Sequence, residues 1–404
     1  MALKNNTWKL NQWYDQNVAG NVSYTGAGAL FVWGDNQGDR AGACGQNNTT
    51  EYSSPVQVPG TTWAQVCGRG QKGSVTATKT DGTLWSWGNN ENGQLGQNQG
   101  PADVNKLSSP AQIPGTTWKY DSRFALGGLF ASKFAIKTDG TLWAWGNQSS
   151  QGVLGLNQYS GRVSSPTQIP GTTWSAVEGG NATYMAAATK TDGTAWVWGN
   201  NGYGAMGVNQ PVNYRRSSPV QIPGTTWSRI VPSDEFYTTM GVKTDGTLWA
   251  MGAGTDGSLG LNQPSGTYKS SPTQIPGTTW TTEITGGNKT WLAVKSDGTL
   301  WTWGENSNGS LGQNQAYPGL NAVSSPIQIP GTTWKHAARL GHGSVMALKT
   351  DGTLWSWGYN ATGARTGILG LNDKITRSSP TQVPGTNWDK VFSSINQAYA
   401  IKQL

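Results

Sequence analysis

The chain has 404 residues, of which 12% are charged and 35% hydrophobic, with 57 Gly, 22 Trp and a formal net charge of +7. So many indoles in so weakly charged a chain exclude a disordered polymer and point to a core filled by large aromatic plates. Its two cysteines recur in no other repeat, which excludes a disulfide framework, and no stretch approaches the roughly 18 apolar residues of a membrane helix.

At the N-terminus Met1 leads into Ala2 to Trp13 with neither a basic region followed by an apolar run nor a small-residue cleavage site. The chain is therefore expected to be made without a cleaved export signal. Residues 1–22, containing Asn6-Thr7-Trp8 and Asn21-Val22, read as an eroded half-repeat or an arm for docking or edge cover, leaving 23–404 as the folded domain. Ala29 to Gly34 is the first clear strand. Cys44 and Cys67 follow it and are expected to be buried thiols.

From here the sequence repeats. Ser-Ser-Pro-x-Gln-(Ile/Val)-Pro-Gly-Thr-(Thr/Asn)-Trp occurs seven times, its first Pro at 55, 110, 166, 219, 272, 326 and 380. A second element, near Leu-Trp-x-Trp-Gly, ends at Gly34, Gly88, Gly146, Gly199, Gly252, Gly304 and Gly358. Six intervals span the 324 residues from Gly34 to Gly358, about 54 per unit, and a fixed period of this size marks a propeller, solenoid or array. Within a unit, Lys79-Thr80-Asp81-Gly82-Thr83 sits between two apolar runs and predicts a tight hairpin, so Asp81 and its equivalents are read as turn formers.

In Leu84-Trp85-Ser86-Trp87 alternate side chains face opposite ways, placing indoles on one face and slim groups on the other. A sheet of this kind can stack on its own copy, the large face of one filling the small face of the next. Phe31 and Met251 depart from the pattern, each replacing a Trp.

The run Trp87-Gly88-Asn89-Asn90-Glu91-Asn92-Gly93-Gln94-Leu95-Gly96, then Pro110 and Lys137-Thr138-Asp139-Gly140, resembles the repeat of the regulator of chromosome condensation superfamily. Similar pieces at Gly152 to Gly155, Gly204 to Gly207, Gly257 to Gly260, Gly309 to Gly312 and Gly367 to Gly370 extend the resemblance over nearly the whole chain. It implies an all-β, seven-bladed β-propeller. It does not fix function, because the superfamily includes a nucleotide-exchange factor for a small GTPase, an inhibitor of β-lactamases and many uncharacterised modules.

At the other end, Ala398-Tyr399-Ala400-Ile401-Lys402 stops where Asp-Gly-Thr-Leu-Trp would follow, while the N-terminal strand begins at that point of the unit. Pairing the N- and C-terminal strands within one blade would close the ring and cover two open edges. The C-terminal copy keeps Trp388 and Lys402 and is the one expected inside the ring.

Catalytic and metal signatures are not found. His336 and His342 are the only histidines and read as structural or surface groups, and the acid pair Asp234-Glu235 reads as a solvated loop. Neither catalysis, a cofactor nor a metal is expected. The basic excess is scattered, and seven Lys belong to the repeat, so nucleic-acid binding and membrane insertion are not expected either.

What varies between units is the segment before each Ser-Ser-Pro. Tyr52, Lys106, Tyr159, Arg162, Tyr214, Arg215, Arg216, Tyr268, Lys269, Tyr317 and Arg377 should sit around one rim, a composition suited to adaptable binding. A second variable set, at 68–73, 232–236, 286–290 and 340–343, should line the central opening. The uniform, weakly charged repeats suggest a non-enzymatic structural or adhesive propeller of a tailed-phage particle, assembled in the host cytoplasm. Its rim would bind neighbouring virion proteins or a host-surface glycan or protein. The competing readings are a bacterial protein-binding module, cytoplasmic or extracellular and similar to a β-lactamase inhibitor, a GTPase exchange factor, and a carbohydrate-cleaving enzyme.

Overall fold

The computed structural model describes residues 28–70, 73–180, 184–212, 214–234, 236–287, 289–316, 318–360 and 367–403. The expected N-terminal arm, residues 1–22, lies outside them. Seven four-stranded antiparallel sheets are arranged as the blades of a propeller. Blade 1 runs outward from the axis through Trp63–Cys67, Ser74–Lys79, Leu84–Asn89 and Lys106–Ile113. Blades 2 to 6 repeat this order from the innermost strands Leu126–Leu129, Trp174–Gly180, Trp227–Pro232, Trp280–Gly287 and Trp334–Arg339.

Blade 7 is the seam. Its two inner strands, Trp388–Phe392 and Gln397–Lys402, come from the C-terminus, and its two outer strands, Ala29–Gly34 and Tyr52–Gln57, from the N-terminal part of the chain. Six residue pairs join them, from Ala29 opposite Lys402 to Gly34 opposite Gln397. The C-terminal copy therefore lies in the ring and the termini share a sheet.

The hairpins are built as the sequence predicts. The Asp81 carboxylate accepts from the Thr83 amide at 2.9 Å and its hydroxyl at 2.6 Å, and that hydroxyl accepts from the Trp85 indole at 2.8 Å. Asp139, Asp192, Asp245, Asp297 and Asp351 repeat the arrangement in blades 2 to 6. The glycine closing each Trp-Gly pair is required where it stands: at Gly88, with φ +90°, an added Cβ would meet the Gly73 carbonyl oxygen at 2.1 Å.

Alternation does set the packing between blades. Trp63, Val75, Ala77 and Trp87 of blade 1 pack against Leu30, Val32 and Ile401 of blade 7, while Leu84 and Ile113 on its other face meet Trp118 and Trp145 of blade 2. The second indole of a Trp-x-Trp pair also donates a hydrogen bond across the gap, Trp87 to the Ala43 carbonyl at 2.8 Å and Trp145 to that of Gln94 at 3.0 Å. The Lys that opens each hairpin lies between aromatic rings of its own blade. Lys79 is 4.7 Å from the Trp63 centroid and 4.4 Å from that of Trp85, and Lys402 stands likewise between Phe31 and Trp388. Cation and ring quadrupole attract, so these ammonium groups belong to the scaffold.

An outer belt completes the ring. Asn47, Asn98, Asn157, Asn209, Asn262, Asn314 and Asn372 all adopt positive φ, a conformation that Asn tolerates better than other side chains with a Cβ. Their amides donate to Ser108, Ser164, Ser217, Ser270, Ser324, Ser378 and Ser53, each in the next blade. The last link, Asn372 to Ser53, returns to the seam.

Candidate interaction surface

Antiparallel order puts two sets of loops at one end of the ring: those joining strands one and two of each blade, and those joining three and four. The second set carries the variable rim, and in five of the seven blades its loop hangs from an Asn side chain, whereas Gln148 stands at that place in blade 2 and Gly254 in blade 4. The Asn90 side-chain amide donates to the carbonyls of Gln99 and Val104, and its oxygen accepts from the Leu95 amide. Asn36, Asn201 and Asn306 do the same for loops of other lengths. A fixed frame thus holds connections that are free to differ.

Register fixes where the rim side chains start. Tyr52, Arg216, Lys269 and Arg377 lie opposite Gly34, Gly199, Gly252 and Gly358, while Lys106, Arg162, Arg215 and Tyr268 lie one residue further out, opposite Asn89, Asn147, Asn200 and Ala253. They are not equally available. Tyr52 is half-buried between blade cores, its hydroxyl accepting from the Asn48 side chain at 2.9 Å. Lys106 donates to the Gly38 carbonyl at 2.8 Å, and Arg377 pairs with Asp373 at 2.6 Å. Tyr159, Arg162, Arg215, Arg216 and Tyr268 are exposed, and Arg216 stacks on Tyr214 with its guanidinium carbon 4.6 Å from the ring centroid. Tyr317 lies outside the described residues.

The central opening holds a network that the sequence did not reveal. Arg69 of blade 1 pairs with Glu178 of blade 3 at 3.1 Å, and Arg229 of blade 4 grips the other oxygen of that carboxylate at 2.5 Å. Arg123, leading into blade 2, reaches across to Glu283 of blade 5 at 2.5 Å, His336 of blade 6 at 2.6 Å and the Val391 carbonyl of blade 7 at 2.7 Å. Phe124 and Phe392 flank the charges, and the Arg229 guanidinium lies 3.7 Å from the Phe124 centroid.

Neighbouring cations overcome the cost of burial at Glu283 and hold its carboxyl down at about 2, Arg123 contributing most of the lowering. Burial, against the pull of Glu283, lowers His336 below its ordinary value. A neutral ring fits the geometry: its Nδ1 accepts from Arg123, which bridges it to Glu283. Every charge here is engaged with a neighbour in another blade, so the network ties inner strands together across the axis.

Asp234 requires a correction. It is buried rather than a solvated loop residue, with Arg69 3.9 Å away, because its loop turns inward at the end of the blade 4 inner strand. Glu235 lies outside the described residues. Cys44 and Cys67 are buried free thiols, both pushed up in pKa by burial. Among the described residues no group of three or more His, Cys, Asp or Glu is placed to hold a metal, and no helix is long and apolar enough to cross a membrane.

Residues 81–120, 245–294 and 297–348 match the model of the regulator of chromosome condensation (RCC1) repeat. In those three segments the chain is similar to RCC1 repeats. The chain is 27% identical over 339 residues to the mitochondrial RCC1 domain-containing protein RUG3 of Arabidopsis thaliana, covering 74% of this chain and 70% of that one. It is 23% identical over 350 residues to the human E3 ubiquitin-protein ligase HERC2, covering 85% of this chain but 7% of that far longer protein. Among solved structures, Prp20p of Saccharomyces cerevisiae superposes with a TM-score of 0.77 at 19% identity, covering 94% of this chain and 92% of that one. Human WBSCR16 superposes with a TM-score of 0.74 at 18% identity, covering 93% and 99%. At such identities the structural likeness speaks for the propeller fold alone.

Proposed function

We propose that this ring is a non-catalytic protein-binding module whose contact surface is the variable rim. The observation that carries the reading is the contrast within one end of the molecule: strands paired in the same register in every blade carry loops that differ in length and display Tyr, Arg and Lys, with Tyr159 48% and Tyr268 60% exposed. The opposite end repeats the same hairpins and the same lysines held between rings in blades 1 to 6, and its departures are the stretch after Trp118 in blade 2 and the seam of blade 7. Proteins of this fold supply a precedent, since the Prp20p structure is described with its binding to Gsp1p and histones.

The setting we propose is a tailed-phage particle, with a neighbouring virion protein or a host-surface protein or glycan as partner. Its support is compositional, namely the low charge fraction and near-identical units, and the eukaryotic relatives add nothing to it. Proteomics of purified particles tests that setting, and absence of the chain from them would remove it.

The contact surface is tested by placing a photo-crosslinking residue at Tyr159, at Tyr268 and, at the opposite end, at the exposed Thr172, then mapping adducts by mass spectrometry. Adducts confined to the two rim positions are expected. Equal yield from Thr172 would sink the reading.

A further inference from the structure

We infer that the sector of the rim spanning blades 2 to 4 is a docking surface for an acidic polypeptide segment. This rests on the reading of the rim as the contact surface and narrows it to one place and one chemistry.

The sector is continuous. Tyr159, from the blade 2 loop, reaches over blade 3 and donates from its hydroxyl to the Arg215 carbonyl at 3.2 Å. Tyr203 of blade 3 packs on Tyr237 of blade 4, ring centroids 5.7 Å apart, and the adjacent Gly204 sits against Ser270, next to Lys269. Tyr159, Tyr203 and Tyr268 are about half exposed, an unusual concentration of aromatic surface on a chain whose tryptophans are spent inside the blades.

Charge identifies the occupant. Several cations elsewhere on this end are paired within the chain: Arg40 with Asp35 at 3.0 Å, Arg377 with Asp373 at 2.6 Å, Lys289 with Asp256 at 2.7 Å. Arg162, Arg215 and Arg216 have no carboxylate partner among the described residues, where Asp256 is paired with Lys289 and Asp234 is buried beside Arg69. Guanidinium groups without a described carboxylate, one of them held on Tyr214, match a segment that brings carboxylates and apolar side chains together. A nucleic acid would want a continuous basic track for its phosphates, and here the repeated lysines are held between rings at the far end of the ring.

The test uses the full chain and fluorescence anisotropy with a short labelled peptide alternating Glu and Tyr. Its counterpart with Gln for Glu, an oligothymidine and a heparin fragment serve as the competing chemistries. The acidic peptide should bind, and Arg215→Ala with Arg216→Ala should weaken it by about tenfold, as should the Gln peptide or raised salt. Arg377→Ala should leave it unchanged, and unaltered melting of each variant shows that the ring is intact. Equal binding of the Gln peptide, tighter binding of oligothymidine or heparin, or indifference to the double variant would overturn the inference. Any of those results alongside crosslinks confined to the rim removes the acidic partner but leaves the protein-binding reading in place.

Discussion

The indole nitrogen of Trp33 donates to the carbonyl of Ile368 at 2.8 Å, across 335 residues of chain. Trp87, Trp145, Trp198, Trp303 and Trp357 make the same bond to the preceding blade. At the seventh place stands Met251, whose sulfur fills the space beside Gly207 but donates nothing. Met251→Trp should add the missing bond to the Ala205 carbonyl, raising stability by about 1 kcal/mol. Thermal or urea unfolding checks it, and a destabilised variant would mean that the pocket is too tight for an indole.

Thr62, Thr117, Thr173, Thr226, Thr279 and Thr333 hold φ between 65° and 71° just before the repeated Trp, whereas Asn387 occupies the seventh place. A β-branched residue is strained there and Asn is not. Thr226→Asn should therefore stabilise the ring by up to about 1 kcal/mol, measured by denaturant midpoint at unchanged slope. No gain would show that the backbone relaxes at little cost.

Glu283 and His336 make the central network sensitive to acid. The folded carboxyl lies near 2 against an ordinary 4.5, so its contribution is complete above 4.5 and is withdrawn as pH falls through about 2. His336 is also lowered, so the fold resists its protonation, and that part of the stability is present above 6.5 and fades as pH falls through the lower folded value. Stability should decline from near pH 6 downward, with the His336 component absent in His336→Phe. Glu283→Gln, which leaves Arg123 without its carboxylate, should cost about 3 kcal/mol at neutral pH and flatten the acid limb. Urea titrations at stepped pH measure both.

Removal of residues 397–404 takes away the strand that pairs with Ala29–Gly34 and leaves an open edge on blade 7. Unfolding followed by circular dichroism should then lose its single sharp transition, and the shortened chain should associate through the bared edge. A truncated chain that stayed monomeric and melted as sharply as the parent would show that the seam is dispensable.

Much of this fold can be read from the residues because it is periodic. The Asp81 turn, the alternation around Trp85 and Trp87 and the truncated unit ending at Lys402 each state a local rule that the coordinates obey. The central network escaped because its members obey none. Arg69, Arg123, Glu178, Glu283 and His336 come singly from different blades, at positions where the other units carry unrelated side chains, and only closure brings them together. Arg69 and Asp234 lie in the variable sets 68–73 and 232–236 expected at the central opening, but their approach to each other was hidden because they stand three blades apart. The rim fell between these cases: register located it, but which cations are already occupied depends on loop shape.

Six sheets are each folded from one contiguous stretch, and only the seam borrows from both extremities. Duplication or loss of a single unit in the middle would leave that joint with the same two partners and alter only the angle each sheet subtends at the axis. A lineage of such chains can therefore change its blade count by recombination without having to invent a new way of sealing the circle.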